Sequence, residues 1–442
     1  MKKLLLLITI LFFSGFLQAQ TWVTQNTGFA SASRGLIDIK IVDANTVWAL
    51  AYDGTAAATT VQEFTKTVNG GTTWTPGTIN VGNTTNLITN ISPVSATTAW
   101  VGSVNSTAGL GGVFKTSDGG LTWVAQNATA YTGAGAYFDS VHFFDANNGL
   151  TIGDPVGGEF EVYKTTDGGT TWTQVPGTSL PNPLTNEASY TGGYAYSGTT
   201  LWFTTSSGRL YKTPDMGTTW TVSQAPLTDF GGAAQSGAVD FSSPANGCLL
   251  KTVGTTISFY TTSDGGNTWS AATTFAGGYN RLLSYIPGTN TIVATGQNAT
   301  APSVPGSSYS TNNGTSFTTI DTGTQRGYNT FLNPTTGWSA GFNTSSTVGG
   351  IFKFSGNLAN ETFTKENGFK LFPNPTNGEV SINSMDDAFS LKVIDITGKV
   401  LLEKTFSGIE NSISISSLSS GVYFFKLTNS ENKSQTIKIL KN

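Results

Sequence analysis

TSDGGLTW, residues 116–123, is the segment that decides the fold, because close versions of it recur five more times along the 442-residue chain. The aromatic residues that close the six copies are 49, 49, 48, 49 and 48 residues apart, and a spacing this regular is typical of repeat architectures. The third residue and the closing aromatic of each copy are Asn69 and Trp74, Asp118 and Trp123, Asp167 and Trp172, Asp215 and Trp220, Asp264 and Trp269, and Asn312 and Phe317.

The residue types of the segment predict a stiff turn between two strands. An Asp or Asn side chain can accept hydrogen bonds from backbone N–H groups about two residues further on, and glycine supplies the positive φ that such a turn needs. The Trp or Phe that follows carries a large apolar surface into a sheet or between sheets. Each copy is therefore expected to be a structural turn and not a reactive site.

Short alternating strands surround each copy, and four antiparallel strands in about 45–50 residues are typical of a propeller blade. Six blades contain the segment. The seventh has strands near 328–333, 337–342 and 350–355 but lacks a fourth, and TWVTQ at 21–25 matches the fourth strand of the other repeats. We therefore predict an all-β, seven-bladed β-propeller over residues 21–356, with the N-terminal strand closing the last blade. A two-sheet sandwich or a solenoid does not explain a missing strand supplied from the other end of the chain.

The repeated segment resembles the Asp box (BNR repeat) of sialidases. Together with the Gly-Trp pairs of the second strands, it is also similar to the propellers of photosystem II assembly factors, the sortilin family and xyloglucan-cleaving glycosidases. This resemblance covers roughly residues 21–356 and implies the fold. It does not select a function, because the boxes lie away from the usual binding face of such propellers.

The two ends of the chain differ from the repeats. Residues 1–20 have two lysines, an apolar run and a small residue at Ala19, which predicts a secretory signal peptide. Residues 357–368 are polar and indicate a linker. Residues 369–442 have the strand pattern of a small antiparallel β-sandwich. Because no later run reaches about 18 apolar residues, no transmembrane helix is expected.

Several short motifs in the C-terminal domain resemble the type A sorting domain of the type IX secretion system of Bacteroidetes; a generic adhesion-type β domain is the alternative. The resemblance implies the secretion machinery as a partner, export to the outer-membrane surface or beyond, and removal of the domain by a cut before Phe369. It also implies that the cargo is either released or joined to surface lipopolysaccharide. The matching residues are Pro373, Asn374, Pro375, Gly378, Gly398, Lys399, Gly421 and Tyr423, followed by the basic residues Lys438 and Lys441.

Charge and composition exclude several classes of function. The formal net charge is −4 and no basic stripe is present, so nucleic acid is not expected as a partner. The single cysteine, Cys248, excludes an intrachain disulfide and is expected to be a small buried hydrophobe. A lone His142 cannot form the usual zinc cluster. We expect no metal or cofactor, and a monomeric propeller.

The expected binding face is the one opposite the boxes, where the arginines and several tyrosines of the repeats are expected to meet. Arginine suits carboxylate or phosphate recognition, and tyrosine suits stacking on sugar rings, although inner-strand packing also uses tyrosine. The predicted binding residues are Arg34, Arg209, Arg281, Arg326, Tyr137, Tyr279 and Tyr328.

These residues favour a secreted or surface module that binds a glycan or a protein, and not an enzyme. The alternative is an extracellular glycoside hydrolase, for which Asp139 and Asp154 are the candidate carboxylates, since that chemistry needs two at a defined distance. A sialidase is disfavoured because Arg34 does not lie in the Arg-Ile-Pro motif of that family. A second alternative is a scaffold in an extracellular assembly.

Overall fold

The computed structural model describes residues 20–55, 59–105, 111–126, 130–275, 282–296, 304–358, 369–384, 388–408, 410–429 and 434–442. These ranges contain 37 β-strands, numbered β1 to β37 in chain order, and no α-helix. Among them there is consequently no helix that could cross a membrane. The chain divides into two compact units between residues 359 and 360.

The described part of the first unit consists mainly of four-stranded antiparallel groups that follow the repeats, here called sheets 1 to 7. Sheet 1 contains β2 (Arg34–Ile41), β3 (Val47–Asp53), β4 (Glu63–Thr67) and β5 (Thr75–Thr78). Sheet 2 contains β6 (Leu87–Pro93), β7 (Ala99–Val104), β8 (Gly111–Thr116) and β9 (Val124–Ala125). Sheet 3 contains β10 (Phe138–Phe143), β11 (Gly149–Gly153), β14 (Tyr163–Thr165) and β15 (Thr173–Gln174). A small hairpin interrupts sheet 3, formed by β12 (Pro155–Val156) and β13 (Glu159–Phe160).

The next three sheets repeat this order. Sheet 4 contains β16 (Ser189–Ser197), β17 (Thr200–Thr205), β18 (Arg209–Thr213) and β19 (Thr221–Gln224). Sheet 5 contains β20 (Ser236–Phe241), β21 (Gly247–Val253), β22 (Thr256–Thr262) and β23 (Thr273–Thr274). Sheet 6 contains β24 (Leu282–Tyr285), β25 (Ile292–Gly296), β26 (Gly306–Ser310) and β27 (Thr318–Thr322). The first strands of neighbouring sheets contact one another, including those of sheets 7 and 1, and are here called the inner strands. The last strand of each of these sheets lies at the opposite edge.

Sheet 7 combines the two ends of the first unit. It contains β28 (Asn329–Asn333), β29 (Thr336–Ser345), β30 (Val348–Ser355) and β1 (Thr21–Asn26). Strand β1 pairs with β30 along its whole length, from Thr21 opposite Ser355 to Asn26 opposite Gly350. This pairing gives the last sheet the fourth strand that its own repeat lacks. A single pair, Gly35 opposite Phe342, also joins sheet 1 to sheet 7.

The apolar core of the first unit lies between neighbouring sheets. Trp48 of sheet 1 packs in one cluster with Ile91 of sheet 2, and Trp100 of sheet 2 packs with Val141 of sheet 3. The same arrangement joins sheet 7 to sheet 1, where Trp338 packs with Leu36. Cys248 is buried in such a cluster, between sheets 5 and 6. The second-strand tryptophans of sheets 1, 2, 4 and 7 are fully buried.

A lysine near the end of the third strand links several sheets to the next one. Lys66 of sheet 1 donates to the carbonyl of Gly119 in the box of sheet 2, at 2.8 Å. Lys115 of sheet 2 donates in the same way to Gly168, at 2.9 Å. Lys353 of sheet 7 donates to Gly70 in the box of sheet 1, at 2.7 Å. The contact between sheets 7 and 1 thus repeats the contact between consecutive sheets.

The Asp boxes form the expected turns. The box Asp side chain accepts a hydrogen bond from a backbone N–H four residues further on, and not two. Asp118 Oδ1 accepts from the backbone N–H of Thr122, four residues on, at 3.0 Å. Hydrogen bonds, first from the Thr122 hydroxyl, lower the Asp118 pKa to about 2. Gly120 has φ of +91° and donates its N–H to the Thr116 hydroxyl, and a Cβ there would lie 2.2 Å from the Phe64 ring. The box therefore fixes the turn and closes the gap to the preceding sheet.

The second unit contains two antiparallel sheets whose buried residues form one apolar cluster that includes Val380, Phe389 and Phe425. The first sheet contains β31 (Lys370–Phe372), β32 (Glu379–Asn383) and β35 (Glu410–Ser414). The second contains β33 (Ala388–Ile394), β34 (Val400–Ser407), β36 (Gly421–Asn429) and β37 (Ser434–Lys441).

Candidate functional site

Carboxylates of the same chain already pair with the described arginines of the first unit. Arg34 starts β2, and its Nη1 and Nε lie 3.1 Å from Asp53 Oδ2 and 3.1 Å from Glu63 Oε2. The hydrogen bond that Arg34 donates to Glu63 is the main reason that the pKa of Arg34 is raised. With its charge balanced in this way, Arg34 connects the first three strands of sheet 1.

Arg209 and Arg326 are bound more deeply. Arg209 donates through Nε to both oxygens of Glu187, at 3.0 and 3.1 Å, and the Glu187 side chain is fully buried. Arg326 is only 4% exposed, pairs with Asp321, and lies over the Phe352 ring at 4.1 Å. A guanidinium enclosed in this way cannot meet a ligand from solvent without a rearrangement. Arg281 and Tyr279 lie outside the described residues.

The two candidate carboxylates are brought together by a serine of the neighbouring sheet. Asp139 Oδ2 accepts from the Ser189 hydroxyl at 2.6 Å, and Asp154 Oδ1 lies 3.4 Å from the same hydroxyl. Thr191 donates to the other oxygen of Asp139 at 2.9 Å. Burial, followed by the charge of Asp154, raises the pKa of Asp139 to about 7. Asp139 is only 1% exposed and Asp154 is half-buried, and their shared contact with Ser189 links sheets 3 and 4.

The remaining predicted tyrosines do not form a cluster with the arginines. Tyr137 is half-buried beside Asp139, and burial, followed by the charge of that carboxylate, raises its pKa. Tyr328 is 50% exposed at the start of the inner strand of sheet 7. The structure therefore separates the residues predicted for one binding site into several intramolecular contacts and two partly exposed tyrosines.

A different group of polar side chains meets among the inner strands. Lys40 Nζ lies 3.3 Å from Asp38 Oδ1 and over the rings of Tyr194 and Tyr196, at 5.1 and 5.5 Å. The other Asp38 oxygen accepts from the backbone N–H of Ile91 at 3.2 Å. Burial lowers the pKa of Lys40, but Asp38 and the two tyrosine hydroxyls raise it more, so the net shift is upward. Lys40 is therefore a charged group with its counter-ion in place.

His142 lies beside this group on the inner strand of sheet 3. It is 5% exposed, and its Nε2 is buried with no hydrogen-bond partner. Its ring centroid is 4.2 Å from that of Tyr196 and 4.7 Å from that of Phe144. Burial, followed by the charge of Lys40, lowers the pKa of His142 to about 3. The imidazole is thus neutral at physiological pH, with one ring nitrogen unsatisfied.

These side chains line a cavity of about 460 Å³ on the Asp-box face, here called the inner-strand cavity. The walls come from the ends of the inner strands of sheets 1 to 4 and from the turns that follow. Those turns lie beside the boxes, as shown by the hydrogen bond from Gly168 N–H to Asn147 O at 2.9 Å. The polar and aromatic lining residues are Lys40, Ser92, His142, Phe144, Asp145 and Tyr196.

The sequence contains a signal for this cavity. Lys40, Ser92 and His142 each stand three residues before the first residue of the turn after an inner strand, so they share one position of the repeat. A titratable or polar residue at one repeated inner-strand position predicts a common polar surface. The sequence does not assign Tyr196 to this repeated position, because the turn after the inner strand of sheet 4 is shorter than the turns of sheets 1 to 3.

In the second unit, the predicted sorting residues form one structural unit with the C-terminal strand. Asn374 donates from Nδ2 to Lys438 O at 2.7 Å and accepts at Oδ1 from Leu440 N–H at 2.9 Å. Thr376 N–H donates to Leu440 O at 2.8 Å. The Pro373–Pro375 segment therefore holds β37 at its end. Lys441 is buried and donates to Ser416 O at 2.8 Å, so it serves packing and not surface charge.

The other predicted sorting residues lie in turns. Gly378 has φ of +136° and donates to the Thr376 hydroxyl at 3.0 Å. Lys399 N–H donates to Asp395 Oδ1 at 3.0 Å, which closes the turn that contains Gly398. Tyr423, two residues after Gly421, donates its hydroxyl to Ser419 O at 2.7 Å.

The repeats have the Asp-box sequence, and the described residues form an all-β, propeller-like fold followed by a small C-terminal β unit. Residues 370–442 match the secretion-system C-terminal sorting domain, and residues 83–238 match the photosynthesis system II assembly factor YCF48. The sorting domain indicates export through the type IX secretion system to the cell surface or the extracellular space. A comparison with curated proteins found no match.

Solved structures are similar in fold at low sequence identity. YCF48 bound to a D1 peptide is 14% identical, with a TM-score of 0.50, over 77% of this chain and 97% of that one. YCF48 from Cyanidioschyzon merolae is 16% identical, with a TM-score of 0.49, over 76% and 98%. The Hadza microbial sialidase Hz136 is 13% identical, with a TM-score of 0.38, over 76% and 65%. The first of these confirms the propeller-like fold and says nothing of the ligand.

Proposed function

We propose that sheets 1 to 7 form a closed seven-bladed propeller over residues 21–356, with β1 as the fourth strand of the last blade. Three observations support closure: the full-length pairing of β1 with β30, the cluster shared by Trp338 and Leu36, and the hydrogen bond from Lys353 to Gly70. The pairing gives sheet 7 four strands, as in the other sheets. The apolar cluster and the lysine hydrogen bond join sheet 7 to sheet 1 in the way that other neighbouring sheets are joined. Closure also removes the open edge that invites aggregation.

The export route of this propeller has three parts. Residues 1–20 are a signal peptide for the inner membrane, residues 369–442 are a β-sandwich that the type IX machinery recognises, and the cut falls in the linker 357–368. The match of residues 370–442 to the sorting domain supports this assignment.

The function that the geometry supports best is ligand binding at the inner-strand cavity. The single observation that carries this proposal is a cavity of about 460 Å³ whose lining combines Lys40, His142 and the exposed aromatic residue Tyr196. Cavities of about 300–1,000 Å³ are typical of small-ligand sites. The paired arginines of the opposite face make that face the weaker candidate.

A pair of tryptophan substitutions tests the location of the site. Ala146 is exposed in the cavity lining, and Ala245 is exposed in the corresponding turn of sheet 5, outside that lining. Binding of the full chain to immobilised oligosaccharides and peptides of defined composition is measured by surface plasmon resonance. We expect Ala146→Trp to abolish binding of the ligand found and Ala245→Trp to leave it unchanged. Equal effects of the two changes would refute the location.

A glycoside hydrolase remains the second candidate, because Asp139 and Asp154 both reach the hydroxyl of Ser189. This contact limits their nearest oxygens to about 6 Å, close to the separation of about 5–5.5 Å in retaining enzymes. The burial of Asp139 argues against it, since a general acid must touch the substrate. Release of reducing ends from the bound oligosaccharide, lost in Asp154→Asn, would establish the enzyme.

A further inference from the structure

We infer that the type IX secretion machinery docks on an exposed apolar surface of the second unit, through a component that presents apolar side chains bordered by acidic groups. This inference rests on the proposed export route and assigns the docking surface within residues 369–442. It follows from three properties of the second unit: the division of one sheet face into an apolar and a polar half, the positions of the sorting residues, and the charges beside the apolar half.

The outer face of the sheet formed by β33, β34, β36 and β37 has an apolar half. Ile394 of β33 pairs with Val400 of β34 and with Phe424 of β36, and Val422 of β36 pairs with Leu440 of β37. Their side chains point away from the core, because the residues beside them on their strands belong to the buried cluster or pack against it. Val400, Phe424 and Leu440 are 44%, 36% and 41% exposed. These five residues are here called the apolar end of the sheet.

The other half of the same face is polar, as the solvated face of an antiparallel sheet commonly is. Lys392 pairs with Glu403 at 3.0 Å, and the hydroxyls of Thr428 and Ser434 lie 2.8 Å apart. Beyond the apolar end, by contrast, the turn between β33 and β34 carries Ile396, which is 76% exposed. Contiguous exposed apolar side chains beside a polar surface mark an interaction site.

The sorting residues surround the apolar end, but their own polar groups are used inside the second unit. Asn374 accepts from the backbone N–H of Leu440 at 2.9 Å and so fixes that part of β37. The turn that the Lys399 N–H closes leads directly into Val400. Tyr423, whose hydroxyl donates to a backbone carbonyl at 2.7 Å, lies between the two residues that β36 contributes to the apolar end. A partner that recognises the sorting domain therefore meets the apolar side chains that these residues hold in place.

The charges beside the apolar end favour an acidic partner over a second copy of this chain. Lys438 is exposed and stands opposite Phe424 on β37. Lys399 is exposed in the turn before β34, where the carboxylate of Asp395 already accepts from the backbone N–H groups of Thr397 and Lys399, at 2.8 and 3.0 Å. In a two-fold dimer the same surface of both copies meets, so lysines would face lysines. Acidic groups around an apolar surface complement this border.

The first test uses the full chain in a host with an active type IX system and measures the fraction of the protein found outside the cells. Phe424→Gln combined with Leu440→Gln should lower that fraction by about 10-fold, because apolar anchors at the centre of an interface carry most of the binding energy. The matched control is Thr428→Gln combined with Thr436→Gln, on the same two strands in the polar half, which should stay within about 2-fold of wild type. Thermal unfolding of the purified variants checks that both remain folded.

The second test identifies what contacts the apolar end. Because Cys248 is buried, Ile396→Cys supplies an accessible thiol for a maleimide photocrosslinker on the purified full chain. Illumination in solubilised membranes of the host should crosslink this position to a component of the type IX machinery. The same label on Thr405→Cys, in the polar half, should not. A crosslink that joins Ile396→Cys only to another copy, or only to the first unit of its own chain, would overturn the inference.

The export assay separates failure of the inference from failure of the proposed route. Suppose that inactivating the type IX system stops export of the wild-type chain, while the Phe424→Gln and Leu440→Gln variant is exported normally. That result overturns the docking surface and leaves the route intact. Export of the wild-type chain that persists without the type IX system overturns both.

Discussion

Trp22 offers a direct perturbation of the contact between β1 and the rest of sheet 7. It lies in β1, is 8% exposed, and packs edge-on against Phe331 and Phe354, with ring centroids 6.0 and 5.4 Å away. Its indole N–H donates to the Ser307 hydroxyl of sheet 6 at 2.9 Å. Truncation of a buried Trp to Ala generally costs about 3–5 kcal/mol, so Trp22→Ala should lower the free energy of unfolding of the first unit by about 4 kcal/mol.

The assay benefits from the distribution of tryptophan. All ten tryptophans lie between residues 22 and 338, so tryptophan fluorescence during urea unfolding reports on the first unit alone. The matched control is Val23→Ala in the same strand, because Val23 is 51% exposed and should change stability by less than about 0.5 kcal/mol. If Trp22→Ala unfolds at the same urea concentration as Val23→Ala, β1 does not complete the last blade in solution.

Three further predictions concern an ion pair, a buried carboxyl group and the sorting motif. Arg209→Met leaves the fully buried Glu187 without its ion pair and should destabilise the first unit by about 3–5 kcal/mol in urea unfolding, with much of the loss recovered when Glu187 is also changed to Met. Burial raises the pKa of Asp139 to about 7 in the folded protein, so its contribution to stability falls as the pH rises from about 4 to 7. The free energy of unfolding of Asp139→Asn, relative to that of wild type, should therefore rise by about 2–4 kcal/mol between pH 4 and pH 8. Asn374→Ala removes both hydrogen bonds to β37, so faster amide exchange in residues 434–442 and reduced export in a host with a type IX system are expected.

Each of these predictions has a result that contradicts it. Arg209→Met with unchanged stability but lost ligand binding would return Arg209 to a binding role. A pH-independent difference between Asp139→Asn and wild type would mean that Asp139 titrates normally in the folded protein. Normal exchange and export of Asn374→Ala would separate the sorting motif from the C-terminal strand.

The repeat predicted much of the architecture because its information is local. The box, its glycine and the closing aromatic lie within eight residues, so their turn geometry follows from the segment itself. The fourth strand of the last sheet was also predictable, since TWVTQ matches the strand after each box. In the structure, β1 indeed pairs with β30 from Thr21 to Asn26.

The partners of charged side chains could not be predicted, because they come from distant parts of the chain. Arg34 is held by Asp53 and Glu63, 19 and 29 residues away, and the sequence gives no sign that their strands end beside it. Asp139 depends on Ser189, 50 residues away in the next repeat. A binding face assigned from residue type alone therefore overestimates the charge that is free for a ligand.

The inner-strand cavity was missed for a related reason. The sequence places Lys40 and Asp240 at the position of His142 in other repeats, but His142 was considered only as a metal ligand or a strand histidine. The cavity requires four inner strands to converge, which the repeat implies only after the sheets are arranged side by side. Alignment of the repeats by their turns, rather than by their boxes, would have indicated this polar surface.

Hydrogen–deuterium exchange of the full chain, with and without the oligosaccharide or peptide that binds in the surface plasmon resonance experiment, tests the central claim most directly. Ligand bound in the inner-strand cavity should slow exchange in the inner-strand ends and turns at residues 40–42, 92–94, 142–146 and 196–198, while the strands near Arg34 and Arg209 stay unchanged. Slower exchange confined to residues 34–36, 53–55 and 205–209 would place the ligand on the opposite face and contradict the account.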